Sequence, residues 1–507
     1  MSRNRWRGSV FGALALGMLA AVALGGEVTA PARGDSGDQV ARLEAMLAAQ
    51  QSKIDALEQR LLTAGSQNQD AARVEAMKQQ IREVLSEREF RESLMPSVMQ
   101  AGYDKGFYIK SSDDKFKLKI NGYMQFRWTH YDQQSRNKYL MPRYERDDRT
   151  GFDLQRIRLI FSGHAWTPDL TYHVQLNSDS ARGYGTSIHW AYLNYRFSDE
   201  FQFRAGIFKL ASTRSQLTAE WGFQFVDRTM TDAVFSFGNG LGVRFWGHLF
   251  DKKLTYMLDV VNSLNTNGNR TITNDPAEMD SNPAILFRAV WHAMGDDLKE
   301  WLFEGDVNKL QSPALDVGFW YAFNDDQYDS RTTRIPFPVS RRAPGVGGFG
   351  LTNTNGLQIN QFGFDAAFKY QGFSATAEYY LRIVDPRRAG RRPFAPWWLL
   401  TRQADTTVQN GAYLQVGYFL PIPGYEDKLE AVARVGGISA LANEQEGVWE
   451  YAAGLNYYLR GPEAGHKAKL QFDVTKVYEA PISSPYVSLA NVNDNALIFR
   501  LQLQVGF

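Results

Sequence analysis

The chain predicts an all-β transmembrane barrel of about sixteen antiparallel strands, preceded by an α-helical coiled-coil segment. Three observations carry that expectation. Apolarity alternates with a period of two from residue 116 onward and recurs to the C-terminus. Past the N-terminus no apolar run is long enough for a spanning helix, yet the chain holds 24 Tyr, 32 Phe and 12 Trp, the rings that barrels place in interfacial girdles. The last residue, Phe507, closes a cleanly alternating strand.

The first strand shows the pattern best. In FKLKINGYMQFRWT, Phe116, Leu118, Ile120, Gly122, Met124, Phe126 and Trp128 share one face. Lys117, Lys119, Asn121, Tyr123, Gln125, Arg127 and Thr129 share the other. One face suits lipid and the other water. A large sheet with one solvated face gives the same pattern in one strand, so recurrence has to decide. Further strands read near 152–164, 170–179, 187–197, 201–209, 241–250, 254–263, 284–293, 314–324, 357–370, 373–384, 408–420, 429–440, 447–460, 467–477 and 494–507. An even number puts both barrel ends on one side of the membrane. Connections alternate accordingly: Thr167-Pro168-Asp169, Ser198-Asp199-Glu200, Asp251-Lys252-Lys253 and Gln371-Gly372 are short, while 131–150, 264–283, 325–356 and 385–407 are long. The connection 294–313 is too long for the short side.

Residues 1–32 have the three parts of a signal peptide: Arg3, Arg5 and Arg7, an apolar Val10–Leu24, and Ala30-Pro31-Ala32 for cleavage. A retained anchor is the alternative, against which the apolar run is short. The expected helix, 38–95, carries Val40, Leu43, Leu47, Gln50, Ile54, Leu57 and Leu61 at heptad spacing, interrupted at 63–70 and resumed by Val74, Met77, Ile81 and Val84. This fits a self-associating periplasmic helix, or a monomeric spacer. The barrel domain is expected over 105–507 in an outer membrane, solvated by its lipid.

Between the strands 201–209 and 241–250 lies a long loop, 210–240, with Trp221, Phe223, Phe225, Val226, Phe235 and Phe237 to bury. The expectation is that it folds into the barrel and constricts it; an Ω-like loop packed on the rim is the alternative.

The segment 187–250 resembles the phosphate- and pyrophosphate-selective porins, the porin O/P family. The resemblance rests on Ala191-Tyr192, on Gly206-Ile207-Phe208-Lys209, on Asp227-Arg228 within the loop, and on Gly240-Leu241-Gly242-Val243. The strand FDLQRIRLIFSG, with Arg156 and Arg158, is similar to the family's basic second strand. The C-terminal strand ending at Phe507 resembles the signal read by the barrel-assembly machinery. The family likeness implies a sixteen-stranded homotrimeric porin whose third outer loop narrows a channel lined by arginine and lysine. The loop departs from a purely cationic clamp: beside Lys209, Arg214 and Arg228 it carries Glu220, Asp227 and Asp232. The likeness therefore implies a porin more firmly than it implies phosphate.

Alternation places Lys117, Lys119, Arg127, Arg156, Arg158, Arg196, Arg204, Arg244, Arg288, Lys369, Arg382, Arg434, Lys467, Lys469 and Arg500 toward the lumen, against Asp259, Asp316, Asp365, Glu378, Glu430, Glu450 and Asp473. A chain of net charge +1 thus hides a basic channel wall. The residues expected to select small anions are Lys209, Arg214, Arg228, Arg127, Arg156, Arg158, Arg244, Arg288, Arg434 and Arg500, because guanidinium stays charged and offers oxyanions a planar fork. In the alternative these bases pair with the acids and brace the wall. The near-zero net charge gives no reason to expect nucleic acid. Zero cysteine removes thiolate sites, and seven scattered histidines show no metal-binding spacing. No nucleophile elbow occurs, so neither an enzyme nor a cofactor is expected. The expected function is an outer-membrane porin for small anions such as phosphate. The alternative is a general or cation-preferring porin whose coiled coil also ties the membrane to the cell wall.

Overall fold

A computed structural model describes residues 99–134, 148–180, 183–262, 264, 282–295, 303–326, 354–388, 407–439, 447–463, 465–480 and 494–507. The expected signal peptide and coiled coil lie outside these residues. A short hairpin comes first, β1 (Gln100–Tyr103) and β2 (Phe107–Lys110). Sixteen long strands follow. They are β3 (Lys117–Gln134), β4 (Asp148–Ala165), β5 (Thr167–Ser178), β6 (Ser187–Arg196), β7 (Gln202–Lys209), β8 (Asn239–Leu249), β9 (Leu254–Val261) and β10 (Ala284–Met294). Then come β11 (Ala314–Asp326), β12 (Thr354–Tyr370), β13 (Phe373–Arg388), β14 (Thr407–Phe419), β15 (Leu429–Ser439), β16 (Val448–Tyr458), β17 (Ala468–Ala480) and β18 (Asp494–Gly506).

Each strand from β3 pairs antiparallel with the next, and β18 pairs with β3, which closes the barrel. Closure leaves no open edge, the condition for strands in lipid. At the seam the Phe507 N–H donates to the Gly122 carbonyl at 3.0 Å. Beyond the point where β18 stops, β2 continues the ladder along Lys117–Ile120 of β3. The hairpin therefore completes the seam rather than adding a seventeenth barrel strand.

The two faces separate as the period requires. In β18, Arg500 and Gln502 are 1 % exposed and Gln504 is 0 %, while Leu501, Leu503 and Val505 are 40, 42 and 49 % exposed. Bulges interrupt the alternation, two of them in strands that carry expected site residues or their neighbours. In β4, Gln125 faces Arg156 and Phe126 faces Leu154, so Gln155 is the extra residue. That switch lets Leu154 stay outside while Arg156 and Arg158 point in. In β6 the extra residue is His189, between Ile188 and Trp190. Arg196, expected in the lumen, is instead at the short-turn rim, where it pairs with Asp169 at 2.8 Å and Asp199 at 3.5 Å. Gln371 and Gly372 both take positive φ, 49° and 82°, the two-residue turn whose twist matches paired strands.

The apolar core lies inside the barrel. Phe235, Phe237, Met230 and Val234 from the loop between β7 and β8 pack against Leu286, Trp320, Ile359, Tyr380 and Ile438 of the wall. The overlong connection before β11 is also explained by what it fills. Its residues 303–310 turn inward at the short-turn end: Val307 packs with Phe419 and Tyr458, and the Phe303 ring meets Trp221 of the inner loop at 4.8 Å.

Candidate functional site

The loop between β7 and β8 runs inside the barrel as helix α1 (Arg214–Leu217), a 3-10 turn (Glu220–Gly222) and helix α2 (Met230–Phe235). Thr213 caps α1 by accepting from the Gln216 N–H, and Thr229 caps α2 by accepting from the Thr231 N–H. Such short helices leave most of their main chain without internal partners, and burying unpaired peptide groups is costly. The wall supplies the partners. Asp259 accepts from the Ala211 N–H at 2.7 Å, and Glu378 accepts from the Arg214 and Ser215 N–H groups at 2.7 and 2.8 Å. Asp473 accepts from Val226 N–H at 2.9 Å, and Glu450 from Met230 N–H. Wall bases take the carbonyls: Arg288 donates to Ser212 O at 2.8 Å, Arg382 to Val234 O at 2.6 Å and Lys469 to Phe223 O. The side chain of Gln224 reaches Ser374 and Glu430. From below, Glu304 donates its N–H to Gly222 O at 3.0 Å and accepts from Gln224 N–H at 2.8 Å.

Five of the ten expected selectivity residues converge on two loop carboxylates. Asp227 meets Arg127 at 2.8 Å, Arg500 at 3.1 Å and Arg156 at 3.5 Å. Glu220 meets Arg158 at 2.6 Å, Arg156 at 3.4 Å and Arg228 at 3.7 Å. Arg500 also pairs with Asp473 at 2.7 Å, and Arg228 with Asp232 at 3.5 Å. Burial opposes the charge on Glu220, but Arg158 and Arg156 outweigh it and hold that carboxyl well below the usual range. Asp227 is likewise held low: burial raises it, and Arg127, Arg500 and Arg156 override the rise. For Asp232 burial wins over Arg228 and the carboxyl is pushed up.

The other five lie elsewhere around the loop. Arg214 and Arg288 share Asp365, each at 2.7 Å, and Arg214 also reaches Asp316 at 3.5 Å. Arg244 holds Asp259 through two nitrogens at 2.6 and 2.8 Å. Arg434 pairs with Glu450 and donates to Asp227 O at 3.0 Å. Lys209, at the end of β7, donates to Thr218 O at 2.7 Å and lies 4.9 Å over the Trp190 ring.

Sequence reasoning did not single out Glu304 or Asp306, which enter the lumen from the short-turn side. Asp306 accepts from the Gly372 and Leu310 N–H groups. With Glu220, Asp227 and Asp232 they add carboxylates inside a wall whose own excess is basic. The signal for them was the unexplained length of that connection. The face parity of the wall acids was legible, but their docking to a main chain was not.

Residues 113–275 match the family described as phosphate-selective porin O and P, a stretch that runs from β3 through β9 and includes the inner loop. The likeness read from Ala191 to Val243 stands for that stretch. No curated protein sequence matches the chain. Among solved structures the fold is similar to an anion-selective porin from Comamonas acidovorans, 8% identical with a TM-score of 0.49, over 77% of this chain and 99% of that one. It is similar to the outer membrane channel DcaP of Acinetobacter baumannii, 10% identical with a TM-score of 0.45, over 80% of this chain and 100% of that one. It is also similar to OmpT of Vibrio cholerae in a trimer form, 10% identical with a TM-score of 0.43, over 77% of this chain and 99% of that one.

Proposed function

We propose that this outer-membrane porin, a channel rather than an enzyme, conducts small anions, with oxyanions such as phosphate the leading solute class. The observation that carries the reading is the set of five guanidiniums, Arg127, Arg156, Arg158, Arg228 and Arg500, on Glu220 and Asp227. Counting Asp232 and Asp473, which share Arg228 and Arg500, the five guanidiniums face four carboxylates and the cluster remains net positive. Field lines from such a cluster concentrate in a narrow lumen with low-dielectric walls. Conduction also needs attraction that releases the ion, which charges shared among several partners provide.

Around this channel the reading places a homotrimer in outer-membrane lipid. The export signal 1–32 is removed, the helix 38–95 self-associates in the periplasm, and Phe507 is recognised by the barrel-assembly machinery. A second reading has one observation in its favour. The loop and turn acids Glu220, Asp227, Asp232, Glu304 and Asp306 counter the wall bases, which suits a general or cation-preferring porin, with the coiled coil contacting the cell wall.

Reversal potentials across planar bilayers in a potassium chloride gradient test the proposal. The wild-type channel is expected to prefer chloride, and more weakly as salt rises, since screening acts over about 8 Å at physiological ionic strength. Replacing Arg158→Glu together with Arg228→Glu should lower or reverse that preference and weaken block of chloride current by phosphate. A wild-type channel that prefers potassium would sink the anion reading.

A further inference from the structure

One lumen arginine is not used by the inner loop or its acids. Arg204 sits on β7, opposite Asn194 of β6 and opposite Arg244 of β8. Arg244 is neutralised by Asp259 at 2.6 Å. Among the described residues no carboxylate lies within ion-pair distance of Arg204. What holds it is aromatic. Its guanidinium carbon is 4.3 Å from the centre of the Tyr192 ring and 5.3 Å from that of Trp246. Its Nε donates to Asn194 Oδ1 at 3.4 Å, the atom that also accepts from Trp246 Nε1 at 2.8 Å. Tyr192 stacks in turn on His173, 5.1 Å between centres and 6° between planes, and His173 lies 5.6 Å from Trp190. Arg204, Tyr192, His173, Trp190 and Trp246 are half-buried rather than sealed, while Asn194 between them is buried.

The wall beside this stack is bare. Gly206 is the register partner of Tyr192, and Gly242 is the partner of Gly206. A Cβ at Gly206 would fall 2.2 Å from the Ala191 carbonyl oxygen, and one at Gly242 would fall 2.2 Å from that of Val260. The close approach of the strands therefore keeps both positions without side chains, which leaves Tyr192 room to lie against Arg204.

A guanidinium stacked on a ring has one face dry while its in-plane N–H groups stay free to donate. With no carboxylate at ion-pair distance among the described residues, those donors are the local preference for an anion in the lumen. The rings present their positive edges beside it. We infer that Arg204, Tyr192, His173 and Trp246 form a subsite for carboxylates borne on a flat conjugated ring, of the benzoate class. The carboxylate takes the two free N–H directions of Arg204, and the ring lies along the aromatic edges. Inorganic phosphate gains nothing from those edges and keeps its water. The inference rests on the reading of the chain as an anion channel and names a second, organic class of solute for it.

The test is block of single-channel chloride current by benzoate, acetate and phosphate in turn, with the full-length protein in planar bilayers. In the wild type, benzoate should half-block at about one tenth of the acetate concentration, the discrimination that a modest apolar contact supplies. Arg204→Gln should raise the benzoate half-block about tenfold and leave phosphate block in place, consistent with loss of one charge-assisted contact. Tyr192→Leu should bring benzoate down to the level of acetate. If Arg204→Gln does not assemble, Arg204→Lys keeps the charge, loses the fork, and should still weaken benzoate block. Equal block by benzoate and acetate in the wild type would overturn the inference, as would benzoate block indifferent to Arg204. The two readings fail separately. A chloride-preferring channel without a benzoate effect sinks only the subsite. A potassium-preferring channel with Arg204-dependent benzoate block sinks only the general anion preference.

Discussion

On β9 and on β12 to β17, the inward carboxylates among the described side chains touch the inner loop: Asp259, Asp365, Glu378, Glu430, Glu450 and Asp473 each bond to a loop N–H, guanidinium or amide. On β5 to β7 the inward positions between the rims include Thr171, His173, Gln175, Asn177, Trp190, Tyr192, Asn194, Gln202 and Arg204, with no acid among them; Asp169 stands at the short-turn end of β5, paired with Arg196. The strands share the same pleat and an apolar outer face. They differ in what their inner face was given to satisfy. A loop that enters a lumen brings its peptide groups with it, and each needs a partner once water is excluded. Acids in the wall mark where that main chain docks. On the wall without acids, Arg204, Tyr192, His173 and Trp246 stay half-buried, and among the described residues no wall carboxylate there takes a loop N–H.

The largest expected effect breaks the docked side. Glu378→Ala with Glu450→Ala removes the acceptors for Arg214, Ser215 and Met230 N–H groups at the starts of both loop helices. Each orphaned buried group costs about 1–3 kcal/mol, enough together to free the loop. Single-channel conductance should rise several-fold while the barrel still shifts its mobility on heating. Unchanged conductance in a folded barrel would mean that the apolar packing of Phe235 and Phe237, not the carboxylates, holds the loop.

A smaller effect sharpens the open side. Asn194→Asp places a carboxylate beside Arg204, in the position of the present Oδ1 contact at 3.4 Å. Anion preference should fall modestly and conductance should barely change, because no loop contact is lost. A large change in conductance would show that this wall also supports the loop.

The smallest effect concerns pH. Glu220 and Asp227 have lowered carboxyl pKa values, so their pairing with arginine is complete above the ordinary carboxylate range and is lost only as pH falls through the lowered values. Between pH 8 and about 5 the five-arginine cluster should keep its charge, since reference carboxyl values lie near 4. Asp232 is shifted the other way and takes up a proton first as pH falls, which leaves Arg228 less opposed. Any drift in reversal potential over that window should therefore be toward anions. Drift toward cations on acidification would contradict the assigned pairs.

Much of the barrel was legible in the chain, for a local reason. Lipid on one side and water on the other impose a period of two on each strand, and Lys117 to Thr129 or Leu497 to Phe507 display it without reference to any partner. The lumen-facing identity of Arg127, Arg288, Arg434 and Arg500 follows from the same parity. Where a bulge breaks the parity, as at Gln155 and His189, the chain alone misplaces the boundary between faces. The length of the 294–313 connection was visible as an excess, but its use was not.

What the sequence by itself determined is a closed β-barrel with a basic inner face, an aromatic-rich outer face and one apolar loop too long for a hairpin. What only the tertiary structure decided is which charges remain available. Arg127 and Arg500 meet on Asp227 across separations of 100 and 273 residues, and Glu378 finds the Arg214 N–H across 164. Alternation fixes the side of the sheet a residue faces, but neither its depth nor its neighbour across the lumen. Those depend on strand tilt, register and the path of the loop, which exist only once the barrel has closed.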